Sequence, residues 1–193
     1  LAAERDPGAQ EDAAALTVLA ALLGGSSQTS YLAQQLTLPG TALWAGASYD
    51  GLSLDRTEFM LSLVPAEGTP PEEAEAALDE ALAQFLAEGP DEVDLERVKT
   101  RIRAEEIYSR DSAHGRAYDY GQGLSTSLTV QDVNDWPDIL DAVTAEDVMA
   151  AARDVLQAPA VTGWLLPAPA EAEAAATQEP APATPDEQTE VQG

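Results

Sequence analysis

The sequence has no cysteine and a single histidine, His114. Without cysteine there is no disulfide, no thiolate metal ligand and no cysteine nucleophile. Histidine-based zinc sites need at least two imidazoles, so these 193 residues cannot build one among themselves. A Ser-His-Asp triad would have to use His114, and the motif context for such a triad is absent. The absence of cysteine fits the cytoplasm and the periplasm equally well.

Basic residues are scarce as well, with 9 Lys and Arg against 35 Asp and Glu and a net charge of −26. Such a surface repels phosphate backbones and anionic lipids, which excludes nucleic acid as a partner. A solvated acidic surface is the simplest explanation, and attraction of basic peptides is the alternative. The apolar runs fall short of the roughly 20 residues that a membrane span requires, so no transmembrane segment is predicted.

Apolar residues make up 45% of the sequence, which is enough for a packed core. Many of them are alanine, which favours helix. The length suits one ordinary domain with some additional chain. The first residue is Leu1, and the first ten residues lack a basic region followed by an apolar one. We therefore expect the chain to be a fragment of a longer protein, with any targeting signal upstream.

The stretch from residue 22 to residue 49 organises the predicted fold. An apolar helix that begins near residues 10–12 ends at Gly24-Gly25, because glycine enters the left-handed region at low cost. A second, short helix covers about residues 29–36, and Pro39-Gly40 then turns the chain. Ala42 to Tyr49 follows as a predicted strand.

A second strand is predicted over residues 56–65, where side chains alternate after the turn signal Asp50-Gly51. The two strands should pair antiparallel. Four helices then follow, and residues 160–166 are predicted as a short closing strand. The helices are expected over Thr69–Glu88, from Asp91 through Ile107 and on toward Tyr120, over Thr129–Leu140 and over Thr144–Leu156.

This order predicts an α+β fold, a largely antiparallel sheet covered by helices on one face. From Pro167 onward the composition changes to Ala, Pro, Glu and Thr with no basic residue. Such a segment cannot bury enough apolar surface to offset its conformational entropy. We therefore predict a folded domain over residues 1–167, truncated at its N-terminus, and a disordered acidic tail over residues 168–193.

Several short sequence segments, taken in their order and spacing across about residues 10–167, carry a family resemblance. They resemble the C-terminal domain, the one without zinc, of the M16 metallopeptidases, the family of insulinase, pitrilysin and mitochondrial processing peptidase. The segments are Leu22–Ser27, Tyr31-Leu32, Gly89–Lys99, Trp136–Val148 and Gly163–Pro167.

The resemblance implies a protein in which two similar halves close into a chamber around a peptide substrate. One half of such proteins carries an inverted zinc motif, His-x-x-Glu-His, which this sequence lacks. Zinc is therefore expected in an N-terminal half upstream in the same chain, and no cofactor is expected in this fragment. A homologous partner subunit, in a homodimer or heterodimer, is a further implied partner. The fragment alone should hydrolyse nothing.

The resemblance also supplies candidate site residues. Companion halves of this family often present an Arg and, seven residues later, a Tyr to the peptide at the zinc. Thr37 and Trp44 occupy the corresponding places with neither side chain. No catalytic residue and no metal ligand is therefore predicted, and the candidate substrate-chamber residues are Thr37, Trp44 and Tyr49. For the two aromatic residues, ordinary core packing is the alternative.

Three functions remain open. The first is the chamber-closing, substrate-binding half of a zinc-dependent metalloendopeptidase of the M16 type. The second is a non-catalytic structural partner of the same fold, and the third is an unrelated acidic α+β binding module. The composition of the tail and the habit of the family suggest a bacterial periplasmic location, with the cytoplasm as the alternative.

Overall fold

The structure is a computed structural model that describes residues 2–166, with only the backbone of Arg110. The predicted tail over residues 168–193 lies outside these described residues. The chain divides into a first unit of residues 1–159 and a second unit of residues 160–193. In the second unit, residues 160–166 form neither helix nor strand and are exposed.

Helices and one two-stranded sheet make up the first unit. Strands β1 and β2 pair antiparallel, with Tyr49 opposite Phe59 and Ala45 opposite Leu63. The predicted α+β class, an antiparallel sheet with helices on one face, is confirmed. The elements are α1 (Glu11–Gly24), a π-helical turn (Ala33–Thr37), β1 (Ala42–Tyr49), β2 (Phe59–Pro65), α2 (Pro71–Glu88), α3 (Glu92–Asp111), α4 (Ala113–Ser125), α5 (Val130–Ala142) and α6 (Ala145–Leu156).

Helix α1 forms the centre of the core. Nine of its fourteen residues are buried, among them Leu19 and Leu23, and they occur on all sides of the helix. A helix that is apolar all round must be covered on all sides. The covering elements are β1, α3, α5 and α6. The high alanine content of α1 allows these neighbours to approach closely.

Gly24 is required by a close approach between α1 and β1. A Cβ atom on Gly24 would lie 1.8 Å from the backbone nitrogen of Ala47, which leaves no room for any side chain. The expected left-handed glycine is absent, since Gly25, the residue after the helix, has φ −71°. The helix ends at Gly24 as predicted, but the glycine is needed for packing between helix and strand and not for a left-handed backbone.

Local capping patterns predicted several helix starts correctly. Thr129 and Thr144 each form a complete capping box with the aspartate three residues later. Asp91 caps α3 by accepting hydrogen bonds from the Val93 and Asp94 amides. Thr69, where a helix was predicted to begin, is not its cap, because Pro70 precedes the first helical residue of α2 and offers no side-chain acceptor.

Two other predictions are wrong. The helix expected to continue from Asp91 toward Tyr120 breaks at Ser112, whose extended backbone and side-chain hydroxyl start α4 by accepting from the Gly115 amide. The closing strand predicted over residues 160–166 is absent. A strand requires a hydrogen-bonded neighbour, and apolar composition alone does not provide one.

Candidate functional site

The two faces of the sheet differ in what covers them. Side chains alternate between the faces of a strand, so every second residue of β1 and β2 points toward the helices. The side chains on that inner face pack into the core, and they belong to Ala45, Ala47, Tyr49, Phe59, Leu61 and Leu63. The other set points away from the core. We call it the open face, and it consists of Trp44, Gly46, Ser48, Met60, Ser62 and Val64.

The open face is uncharged although the chain carries a net charge of −26. Trp44 is 44% exposed, and its cross-strand neighbour Val64 is 47% exposed. The indole ring lies over Gly46, where a Cβ atom would come within 2.5 Å of the ring. Met60 is 51% exposed at the other end of the face. A ligand can therefore meet exposed apolar side chains here without approaching a carboxylate on the sheet itself.

A bulge at the start of β1 extends this apolar character. The strand register shifts between Ala42 and Trp44, and Leu43, the extra residue, is exposed. Bulges twist a strand locally and redirect its side chains. The π-helical turn lies just before this bulge in the chain. The Thr41 amide, next to the start of β1, donates to the Leu36 carbonyl of the turn at 3.0 Å.

The structure separates the predicted site residues. Trp44 lies on the open face, whereas Tyr49 lies on the inner face, stacked on Phe59 with 6.5 Å between ring centroids. The Tyr49 hydroxyl donates to the carbonyl of Ala3, and burial raises the pKa of this phenol. Thr37 is half-buried at the end of the π-helical turn. The role of the three in a substrate chamber stays a prediction, and Trp44 is the member with an exposed ring on the open face.

The side chains of residues 2–166 do not form a zinc site among themselves. The single histidine, His114, is exposed in the first turn of α4. Within residues 2–166 there is no group of three or more His, Cys, Asp or Glu side chains placed to hold a metal. No step that passes through a metal is therefore assigned to this chain.

Sequence reasoning missed a buried polar cluster that joins the N-terminal segment to α5. Arg5 Nε donates to Gln10 Oε1 at 2.7 Å, and Gln10 Nε2 donates to the Asp132 carbonyl at 3.0 Å. The Gly8 amide donates to Asp132 Oδ1 at 2.9 Å. Hydrogen bonds from Thr129, and then from Gly8, hold the pKa of Asp132 below its usual range. Gln10 and Asp132 are 122 positions apart, and no local pattern connects them.

The helices of residues 2–166 include none that is both long and apolar enough to cross a bilayer.

Comparison with known proteins gives a fold but no close relative. No protein-family model and no curated protein matches the sequence. Among solved structures, the inactive peptidase domain of a candidate zinc protease from Bordetella parapertussis superposes with a TM-score of 0.67 at 14% identity, over 77% of this chain and 78% of that one. A peptidase M16 inactive domain from Pseudomonas fluorescens gives 0.61 at 21% identity, over 80% and 36%.

A protease from Helicobacter pylori is similar to the same extent, with a TM-score of 0.63 at 21% identity over 81% of this chain and 36% of that chain. The chain thus spans about a third of the length of the Pseudomonas and Helicobacter proteins. These likenesses show that the chain has the fold of these peptidase domains, one of which is described as an M16 domain. Two of the three similar structures are described as inactive domains.

Proposed function

We propose that this chain is the C-terminal, chamber-closing half of a zinc-dependent metalloendopeptidase of the M16 type and that its open face contacts the peptide substrate. The observation that carries the proposal is an exposed, uncharged sheet face on a domain with the fold of inactive M16 peptidase domains. In this proposal the zinc motif belongs to an N-terminal half of the same protein.

The open face suits an unfolded peptide better than a charged ligand. Trp44 offers a broad apolar surface, and Val64 and Met60 extend it along β2. Among residues 2–166, β2 is the only strand paired with β1, so a peptide could also add to the other edge of β1 through main-chain hydrogen bonds. Main-chain recognition with apolar side-chain contacts would accept many sequences.

The side chains near the start of β1 support binding and not chemistry. Thr37 and Trp44 stand where a catalytically assisting half would place a cationic Arg and a phenol. A threonine hydroxyl is neutral and cannot provide the charge-assisted hydrogen bonds that stabilise a developing oxyanion. This half therefore binds and encloses the peptide, and the other half performs hydrolysis.

The full-length reading frame tests the proposal. We expect it to cleave an unstructured peptide, alone or with a homologous partner subunit, to lose activity with a chelator and to regain it with zinc. Residues 1–193 alone should show no activity. Trp44→Ala in the full-length protein should raise KM roughly tenfold with little change in kcat, as expected for lost uniform binding. Tyr118→Ala, which removes an aromatic ring that is 60% exposed on α4, is the matched control.

A non-catalytic structural partner of the same fold is the second candidate, and the description of two similar structures as inactive domains favours it. The two candidates differ in the upstream sequence. A His-x-x-Glu-His motif in the same reading frame supports the peptidase. A frame without the motif and without chelator-sensitive activity, alone or with a homologue, makes the chain a structural partner. The helix-covered sheet gives no support to an unrelated binding module.

A further inference from the structure

A cavity of about 330 Å³ lies on a different part of the first unit from the open face. It forms where α3, α4 and α5 meet the N-terminal segment and the connection between β1 and β2. This volume is at the lower end of the range for small-molecule sites. Charged groups of both signs line it, together with two polar side chains, and they belong to Arg5, Glu106, Arg116, Asp119, Tyr120 and Asn134.

Arg5 is the buried cation of this cavity. The side chain is 8% exposed, and its guanidinium carbon lies 3.9 Å from the ring centroid of Trp136. Nε is used by Gln10, but Nη2 is buried and finds no hydrogen-bond acceptor among the described residues. Native proteins rarely leave a buried donor unpaired, because its lost hydration is not replaced. Burial lowers the pKa of Arg5 to about 10, so the group remains charged at neutral pH.

Helix α4 presents the opposite wall. Arg116, Asp119 and Tyr120 are three and four positions apart, which places them on one face of the helix. Ser109 Oγ donates to Asp119 Oδ2 at 2.8 Å. The Tyr120 hydroxyl donates to Asn134 Oδ1 at 2.7 Å, which ties α4 to α5. This wall therefore has a fixed carboxylate beside an exposed guanidinium.

We propose that the cavity binds a small zwitterion, an amino acid or a short peptide, with its carboxylate toward Arg5 and Arg116 and its ammonium group toward Asp119. A carboxylate on the cavity side of Arg5 would bring a further acceptor to a buried guanidinium that already has Glu106 and Asp132 as nearby counter-charges. A multiply charged anion such as phosphate would meet the repulsion of two carboxylates. A simple cation would be repelled by Arg5 and Arg116. A ligand with one positive and one negative charge can pair with charged groups of both signs in the cavity. This inference does not depend on the proposed peptidase role.

Calorimetric titration of the 193-residue chain with L-alanyl-L-alanine tests the proposal. We expect saturable binding with a Kd below about 10 mM, the affinity of a weak but specific small ligand. Acetate, ethylammonium and inorganic phosphate are the comparison probes, and each should bind at least roughly tenfold more weakly because each forms one set of charge-assisted contacts at most. Phosphate binding equal to that of the dipeptide would overturn the zwitterion assignment.

Substitutions then locate the binding. Arg116→Gln and Asp119→Asn should each weaken dipeptide binding by roughly tenfold, the loss expected for one charge-assisted hydrogen bond. Arg153→Gln removes an exposed arginine on α6 away from the cavity and should leave the affinity unchanged. Melting curves of the variants separate lost binding from lost folding. Absence of saturable binding, or equal binding by all three variants, would overturn the proposal.

Discussion

Two regions of the first unit differ in how they are stabilised. The first is the layer formed by α1 and the sheet, and the second is the side formed by α4 and α5. The first is held by apolar burial, with Leu19 and Leu23 fully enclosed and Gly24 pressed against the backbone of β1. The second also packs Leu140 of α5 into the core, but it adds hydrogen bonds, through the capping box of Thr129 and the buried carboxylate of Asp132. Close packing is sensitive to volume, whereas a hydrogen-bonded carboxylate is sensitive to pH. Substitutions in the two regions should therefore fail for different reasons.

The largest expected effect is that of Gly24→Ala in the apolar layer. The new Cβ would overlap the Ala47 backbone, so helix and strand must move apart. We expect a loss of about 3 kcal/mol or more in the free energy of unfolding, measured by urea denaturation, at the upper end of the overpacking range. Gly121→Ala in α4 is the matched control, since a Cβ there meets nothing within 4 Å, and it should stabilise by roughly 0.5 kcal/mol. Equal behaviour of the two variants would contradict the close approach.

The next effect belongs to the polar side. Asp132→Asn removes the charge that accepts hydrogen bonds from Thr129 and Gly8, and we expect a loss of about 2 kcal/mol at pH 7. The pKa of Asp132 is lowered in the folded state, so its stabilisation is present above the unfolded pKa of about 3.9 and is lost as pH falls below that value. The difference in unfolding free energy between parent and variant should therefore shrink between about pH 5 and pH 2. A difference that is independent of pH would show that the carboxylate charge contributes nothing.

A smaller effect is expected for Thr144→Ala at the second capping box. Its partner Asp147 is exposed and, within residues 2–166, accepts no side-chain hydrogen bond from another segment, unlike Asp132, which also accepts from the Gly8 amide. The loss should be about 1 kcal/mol by urea denaturation, the ordinary cost of a lost N-cap. Thr129→Ala serves as the comparison and should cost more. A larger loss at Thr144 would mean that burial does not strengthen the first box.

The smallest effect on stability is expected for Trp44→Ala on the open face. The ring is 44% exposed and lies over Gly46. Its removal should cost less than about 1 kcal/mol in thermal unfolding, whereas Leu19→Ala in α1 should cost about 2–5 kcal/mol. A loss as large for Trp44 as for Leu19 would identify the ring as a core residue and remove the structural basis for the proposed peptide contact.

Local chemistry explains which predictions succeeded. The capping boxes at Thr129 and Thr144 were readable because both partners lie within four residues. The alternation in β2 was readable for the same reason, since it depends only on successive residues of one strand. The break at Ser112 was missed because its capping serine interrupts a sequence that carries no proline.

Contacts between distant segments explain the failures. The helix ends at Gly24 as predicted, but the reason for a glycine there is the backbone of Ala47 in β1, more than twenty residues away, and not a left-handed conformation. Of the candidate site residues, Trp44 and Tyr49 are five positions apart on β1, so strand alternation alone places them on opposite faces; only the packing of the helices decided which of the two faces is covered. The cavity beside Arg5 left no trace in the sequence, because five separate segments build it.

The sequence by itself determined the helix-rich α+β class, the strand pair, most helix starts and the lack of a histidine-based zinc site, since these follow from composition and from neighbours within one or two helical turns. The tertiary structure alone decided which face of the sheet stays open, why Gly24 has no side chain and where Arg5 lies. Each of these depends on segments that meet only after the chain has folded, and no periodicity along the chain records such a meeting.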